Sequence, residues 1–262
     1  AQPVRKMEME LITSRQNPLA VHIRKLGADG KYRRSQGQYL CEGEKLVREA
    51  LRWSAGVETL VYARGKRPPD GLPQDIRLVE VPEGLFESLS TVETPQGVLA
   101  VCRRPETALP ETMAPGGYLV LDGLQDPGNV GAIWRTADAL GAAGVVLLPR
   151  CADPFSPKTV RSTMGACFRL PVWESGLEHL CPRLAAAGIP LYATALREDT
   201  ADVRALSLER AAVVIGSEGR GISDEALARC EKTIRIPMRE RCESLNAAAA
   251  AAVVLWEMAR GR

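Results

Sequence analysis

The chain has two histidines, His22 and His179, and no pair of cysteines in C-x-x-C spacing. Structural zinc sites draw on such groups, so the sequence offers none. Its seven cysteines are scattered and odd in number. That speaks against a disulfide framework and for the reduced thiols of a cytoplasmic protein. No apolar run approaches the roughly 18 residues that span a bilayer, and no signal segment is visible. Residues 1–6 precede Met7 and Met9, either of which reads as a start, and they are set aside from the fold reading. Extreme charge is missing too: 34 basic residues face 32 acidic ones, a net charge of +2. Neither a polyelectrolyte nor an acidic tail is present. The common phosphate-binding glycine patterns are also absent. The one glycine-rich loop, 216–221, reads G-x-x-G-x-G rather than G-x-G-x-x-G, and no G-x-x-x-x-G-K-[ST] occurs.

What remains is ordinary globular material. With 45% hydrophobic and 25% charged residues, 262 residues suffice for one large or two small domains. Residues 1–10 read as a flexible tail, 11–104 as a small α/β domain, 105–117 as a linker with three prolines and two glycines, and 118–262 as a second α/β domain. In the first domain the pattern predicts a helix over 15–25 behind a Thr13/Ser14 cap and a basic loop over 27–37. Strands follow at 39–41, 57–63, 78–81 and 98–102, with helices at 44–53 and 83–89. In the second, strands at 119–121, 145–148, 170–172, 191–194, 213–215 and 234–236 alternate with helices at 132–140, 156–164 and 177–187. A mostly parallel six-stranded sheet follows.

The last fifty residues carry the most information. Residues 211–215 form an apolar, β-branched run followed at once by Gly216, Ser217, Glu218, Gly219 and Gly221. Glycine there lets backbone approach a ligand closely. Ser223 caps a short helix, a strand at 234–236 stops at Pro237, and Ser244 or Asn246 caps a closing helix whose first turns are almost all alanine. Two such loops at neighbouring strand ends make a concave site. On residue types alone, an ordinary α/β edge with tight turns explains the stretch equally well.

IGSEGRGIS at 215–223, then IRIPMRERCESLNAAAAAAVVLWE at 234–257, resemble motifs two and three of the SpoU (TrmH) family, RNA ribose 2′-O-methyltransferases of the SPOUT class. Upstream, DPGNVGAIWRTADALGAAGVVLL at 126–148 resembles motif one. The stretches ITSRQNPLAVHIRKL, YLCEGEKLVREAL and TVETPQGVLAV resemble the ribosomal-protein-like RNA-binding domain that often precedes the catalytic one.

The resemblance implies a trefoil knot near the C-terminus, a homodimer, and S-adenosylmethionine as methyl donor. It implies ribose 2′-hydroxyl methylation, with ribosomal RNA as the first choice of substrate and transfer RNA the second. A non-catalytic RNA-binding factor on the same scaffold is the other alternative. Thr194, Gly216, Ile236, Met238 and Leu245 would cradle the cofactor, and Asn129, Arg135, Glu218, Ser244 and Asn246 would do the polar work. A guanidinium scarcely deprotonates in proteins, so Arg135 is read as holding a phosphate and stabilising the developing alkoxide rather than as a base. From the residues themselves, Asn129, Ser244 and Asn246 also read as helix caps, Arg135 as a surface residue and the apolar Ile236, Met238 and Leu245 as core. Arg15, Lys31, Arg33 and Arg34 in the N-terminal basic cluster, and Lys158 and Arg161 in SPKTVRSTMGACFRLPV at 156–172, are candidate RNA contacts or solvated faces. The sequence departs from the family pattern at Glu240, usually glycine, and in the unbroken alanine run 247–252.

Overall fold

The computed structural model describes residues 9–69, 72–195, 197, 200–239 and 244–260. The chain packs as two compact units. The first comprises Ala1–Pro105 with Phe155–Arg161, the second Glu106–Pro154 with Ser162–Arg262. The excursion of Phe155–Arg161 into the first unit was not legible in the sequence.

The first unit runs β1 (Glu10–Leu11), α1 (Pro18–Ala28), α2 (Gly30–Gln36), β2 (Gln38–Glu42), α3 (Glu44–Arg52), β3 (Val57–Ala63), β4 (Arg77–Val81), α4 (Glu83–Leu89) and β5 (Val98–Arg103). Its five-stranded sheet has the order β1-β4-β3-β5-β2, with β5 antiparallel to both neighbours and the other pairs parallel. Glu10, assigned above to a flexible tail, pairs with Val79 in this sheet. The helix expected from residue 15 starts at Pro18, because Asn17 accepts the Leu19 N–H at 2.9 Å and proline at the first helical position has no N–H to leave unpaired. The basic loop expected over 27–37 is instead largely helix α2. Asp29 caps it through the Lys31 and Tyr32 N–H groups, and Gly37, at φ 61°, ends it in left-handed backbone.

Phe155 packs against Tyr39 with the rings tilted 56° and their centroids 4.9 Å apart, and lies under the Arg104 guanidinium. Arg161 Nη1 donates to Thr91 Oγ1 at 2.7 Å, and Thr91 donates to the buried Glu42 carboxylate at 2.7 Å. Burial lowers the pKa of Arg161 from its ordinary value, and the charge of Glu42 opposes the shift.

The second unit runs β6 (Tyr118–Asp122), α5 (Pro127–Ala139), β7 (Gly144–Leu147), α6 (Pro157–Ser162, most of which belongs to the first unit), β8 (Val172–Glu174), α7 (Leu177–Ala186), β9 (Leu191–Thr194), β10 (Ala201–Asp202), β11 (Ala212–Gly216), α8 (Asp224–Arg229), β12 (Lys232–Arg235) and α9 (Ala247–Ala259). Among the described residues seven strands, not six, pair in the order β10-β12-β9-β11-β6-β7-β8, all parallel. The added β10 is two residues long and carries no period to read. Strands β6, β7 and the first four residues of β11 are buried throughout, as parallel strands covered on both faces should be. Segment 105–117, expected as a linker, contributes a buried Met113 to this core, and Thr107 bonds Glu174. The strand expected at 170–172 lies at Val172–Glu174, after a 3-10 turn at Ala166–Phe168. Helix α5 begins at Pro127 rather than 132, with Asp126 capping it through the Asn129 N–H.

The strand order reverses at the β6–β11 pair: β7 and β8 extend one way, and β9, β12 and β10 the other. Ligands of open α/β sheets bind outside the strand C-terminal ends at such a reversal. The knot implied by the resemblance involves the passage from β12 to α9, and residues 240–243 of that passage, Glu240 among them, lie outside the described residues.

Candidate functional site

Two clefts open at those strand ends. One, of about 220 Å³, is lined by the ends of β9, β11 and β12 and by the chain entering α9. Thr194, Gly216, Ile236, Met238, Ser244 and Leu245 all contribute to it. The other, of about 360 Å³, lies over the ends of β6 and β11 and is lined by Asp122, Asp126, Asn129, Arg150, Glu218 and Arg220 among others. Ser217, Glu218, Gly221 and Ala247 line both. The turn after β11 is therefore a shared wall, with an apolar-walled chamber on one side and a charged one on the other.

The turn is held by its own backbone: Ser217 N donates to Gly221 O at 3.1 Å and Gly221 N to Ser217 O at 2.8 Å. Gly221 takes φ +66°, which favours glycine. Gly216 is needed for a different reason from the one the sequence suggested. A Cβ there would sit 2.3 Å from Gly221 C and 2.6 Å from Ile222 N. The close approach that excludes a side chain is made by the loop itself.

Asn129, Glu218 and Asn246 meet at this wall. Glu218 Oε1 accepts from Asn129 Nδ2 at 3.3 Å, from Asn246 Nδ2, and from the Ala247 N–H at 3.2 Å. Asn246 Nδ2 also lies 3.5 Å from Asn129 Oδ1. Asn246 has two tasks, because its Oδ1 caps α9 through the Ala248 and Ala249 N–H groups. Asn129 does not cap its helix, since Asp126 does. Nor does Ser244 cap α9; it lines the apolar chamber. The Thr194 hydroxyl is engaged by Val214 O at 2.9 Å, so it faces the chamber as wall. Ile236 is half-buried, and Met238 and Leu245 are exposed. They are chamber lining, not core.

Arg135 is not brought to the trio. It is exposed on α5, lines neither cleft, and makes no hydrogen bond or ion pair among the described residues. Six residues beyond Asn129 on an α-helix is about 9 Å further along and about a third of a turn off its face.

The RNA candidates divide. Arg15, Lys31 and Arg34 are exposed. Arg33 is 4% exposed, and its Nη1 donates to Leu26 O at 2.6 Å near the end of α1. It is a structural residue and cannot serve as a phosphate contact. Lys158 is exposed, whereas Arg161 is committed to Thr91 inside the first unit. Arg33→Ala is therefore expected to cost about 1.5–3 kcal/mol of stability through the lost charged hydrogen bond. Lys31→Ala and Arg34→Ala should leave the melting temperature unchanged and each reduce the log–log salt slope of RNA binding by about 0.7–0.9. Thermal melts and a salt titration of RNA binding separate the two classes.

Residues 117–256 match the SpoU rRNA Methylase family model. The chain belongs to this family. Residues 17–100 match an MRM3-like substrate binding domain. The 23S rRNA (guanosine(2553)-2′-O)-methyltransferase RlmP of Bacillus subtilis is 34% identical over 250 residues, covering 95% of this chain and 99% of that one. The solved AdoMet-bound rRNA methyltransferase from Sinorhizobium meliloti superposes with a TM-score of 0.85 at 32% identity, over 97% of this chain and 98% of that one. The SpoU methyltransferase AviRb from Streptomyces viridochromogenes, solved with AdoMet, gives 0.82 at 29% identity over 94% and 98%. The match to both halves makes this SpoU-family chain a two-domain α/β protein with an N-terminal substrate-binding unit and a C-terminal SPOUT sheet.

The family's polar motif residues thus fall into two groups in this protein. Asn129, Glu218, Ser244 and Asn246 gather around one loop, while Arg135 stands apart. Sequence reasoning missed Arg150 and Arg220, the two guanidinium groups of the charged chamber. Arg220 lies inside the glycine-rich motif at 215–223 but was not singled out there, and Arg150 lies in no patterned basic cluster.

Proposed function

We propose that this protein methylates a ribose 2′-hydroxyl of ribosomal RNA with S-adenosylmethionine, as a cytoplasmic homodimer. The observation that carries this reading is the shared wall: one loop, pinned by Asn129, Glu218 and Asn246, separates an apolar-walled chamber from a charged one. Methyl transfer to RNA needs those two chambers side by side.

The apolar chamber fits the cofactor. Ile236, Met238 and Leu245 offer apolar surface to an adenine, and the ends of β9 and β11 offer backbone at Thr194 and Gly216. When bound, S-adenosylmethionine supplies an electrophilic methyl group on a sulfonium. The residues of this chain position the other reactant. Glu218 fixes the wall through Oε1 while Oε2 makes no hydrogen bond among the described residues. Asn129 and Asn246 hold Glu218, and Ser244 lines the chamber beside them. In-line placement of a poor nucleophile is itself worth much of the barrier.

The developing alkoxide also calls for a cation beside the 2′-oxygen, the part read above for Arg135. Arg135 lines neither chamber of its own chain, so in the homodimer Arg135 of the partner subunit would supply it. Helix α9 offers a surface for that dimer. Its Ala247, Ala251, Val254, Leu255 and Met258 are buried, and the helix packs on α5. Ala249, Val253 and the 62%-exposed Trp256 make an outward stripe at helical spacing. The alanine run therefore gives close approach within the chain, and the Val253–Trp256 face is the one left for a second copy.

The test is mass-spectrometric mapping of ribose methylation in ribosomal RNA from cells with and without the gene, with calorimetry of S-adenosylmethionine binding by the purified protein. One 2′-O-methyl mark should vanish with the gene and return with it, and the cofactor should bind. An unchanged methylation map, or no cofactor binding even with ribosomal RNA present, would remove the enzymatic reading.

A further inference from the structure

Among the described residues the charged chamber is lined by three carboxylates and two guanidinium groups: Asp122, Asp126 and Glu218 against Arg150 and Arg220. All three acids already have donors inside the protein. Asp122 accepts the Ser223 N–H at 2.7 Å, Asp126 the Asn129 N–H at 2.8 Å, and Glu218 the donors described above. Neither guanidinium makes an ion pair or side-chain hydrogen bond among the described residues. The acids are held by the fold, and the arginine donors are left to the chamber.

Arg150 has a second peculiarity. Its φ is +70°, in the left-handed region that disfavours any residue with a Cβ and that glycine adopts freely. Only Ser54 and Met164 share that property among the described non-glycine residues, and neither lines a chamber described above. A glycine would fold more easily at 150, yet the position carries a long exposed cation at the mouth of the site. Unfavourable backbone geometry that the fold does not need tends to mark functional positions.

We infer that Arg150 is a substrate-positioning residue, whose guanidinium holds a phosphate flanking the target ribose in the charged chamber. The inference rests on the RNA methyltransferase reading above. Five N–H donors in a planar fork suit a phosphodiester, which can be gripped through two oxygens at once. A phosphate held there fixes the neighbouring ribose against the wall that carries Glu218. Arg150 acts on the nucleophile's position and touches neither the transferring methyl nor the 2′-oxygen.

The test uses the full-length protein with ribosomal RNA isolated from cells lacking the gene as methyl acceptor, and Arg150→Gly and Arg150→Lys as variants. Arg150→Gly relieves the left-handed strain, so its melting temperature should equal or exceed the wild type's. Its KM for RNA should rise about tenfold or more, with S-adenosylmethionine affinity unchanged. Its log–log salt slope for RNA binding should fall by about 0.7–0.9, one phosphate contact. Arg150→Lys should restore the slope but only part of the KM, because the charge returns without the planar fork. A wild-type KM and slope in Arg150→Gly would overturn the inference, and so would a lowered melting temperature with weakened cofactor binding, which would make Arg150 a structural residue. If the wild-type protein leaves this RNA unmethylated, the proposed function fails. The salt-slope comparison on the same RNA still decides Arg150, an unchanged slope overturning it and a reduced one supporting it.

Discussion

Arg135→Ala is expected to lose methyl transfer by a hundred- to thousandfold, about 2.7–4 kcal/mol, the scale for removing a preorganised donor from a developing oxyanion. Because Arg135 is exposed and outside its own chain's chambers, the variant should keep its melting temperature and its S-adenosylmethionine affinity. Mixing decides whether the arginine acts across a dimer. Arg135→Ala chains and Glu218→Ala chains should each be inactive alone. In a mixed dimer, one site combines an intact Glu218 with the intact Arg135 of the other chain. Random mixing would then recover about a quarter of wild-type activity. Arginine acting on its own chain's site leaves every mixed site defective, so no recovery appears. Light scattering of the wild type supplies the companion measurement, a dimer at micromolar concentration.

Gly216→Ala should weaken cofactor binding and turnover by about ten- to a hundredfold while the sheet stays folded. The added Cβ would lie 2.3 Å from Gly221 C and 2.5 Å from Gly221 O, and neither is a flexible side-chain end that can step aside. Overpacking of this kind costs about 1–3 kcal/mol, and the turn can relieve it only by opening. Opening moves the Glu218 carboxylate away from Asn129 and Asn246, which sit on other elements. Both cofactor affinity and turnover should therefore fall together, by calorimetry and by single-turnover transfer. The seven-stranded sheet should still melt cooperatively. Gly219→Ala is the control: a Cβ there meets nothing within 4 Å, and near-normal activity is expected. Equal damage from both substitutions would show that the turn's crowding is not what matters at 216.

The elements around this site were legible because their periodicity is strong. The buried run of β11, the Ser223 cap and the alanine helix fall where the residues point. The meeting of Asn129 with Glu218 and Asn246 was not legible from pattern, since the partners are 89 and 117 positions apart. Only family resemblance linked them. The basic cluster misled for a physical reason: one dimension shows charge but not direction, and Arg33 turns inward to Leu26 while Lys31 and Arg34 turn out. Helix α2 was written in its Asp29 cap and Gly37 stop, but the density of charge between them reads as loop. The backbone at Arg150 left no trace at all, because arginine carries no preference for left-handed geometry.

The discontinuity of the first unit bears on how the protein is made. A ribosome finishes residue 105 long before residue 161, and the whole of β6, α5 and β7 emerges in between. At about 5–20 residues per second that is a wait of several seconds. During it the nascent sheet of β1 to β5 lacks Phe155 against Tyr39 and Arg161 against Thr91. The N-terminal unit therefore cannot reach its final packing while it is the only part outside the exit tunnel. Completion of the first unit waits until β6, α5 and β7 of the second have emerged, and a nascent chain released before then would lack Phe155 against Tyr39.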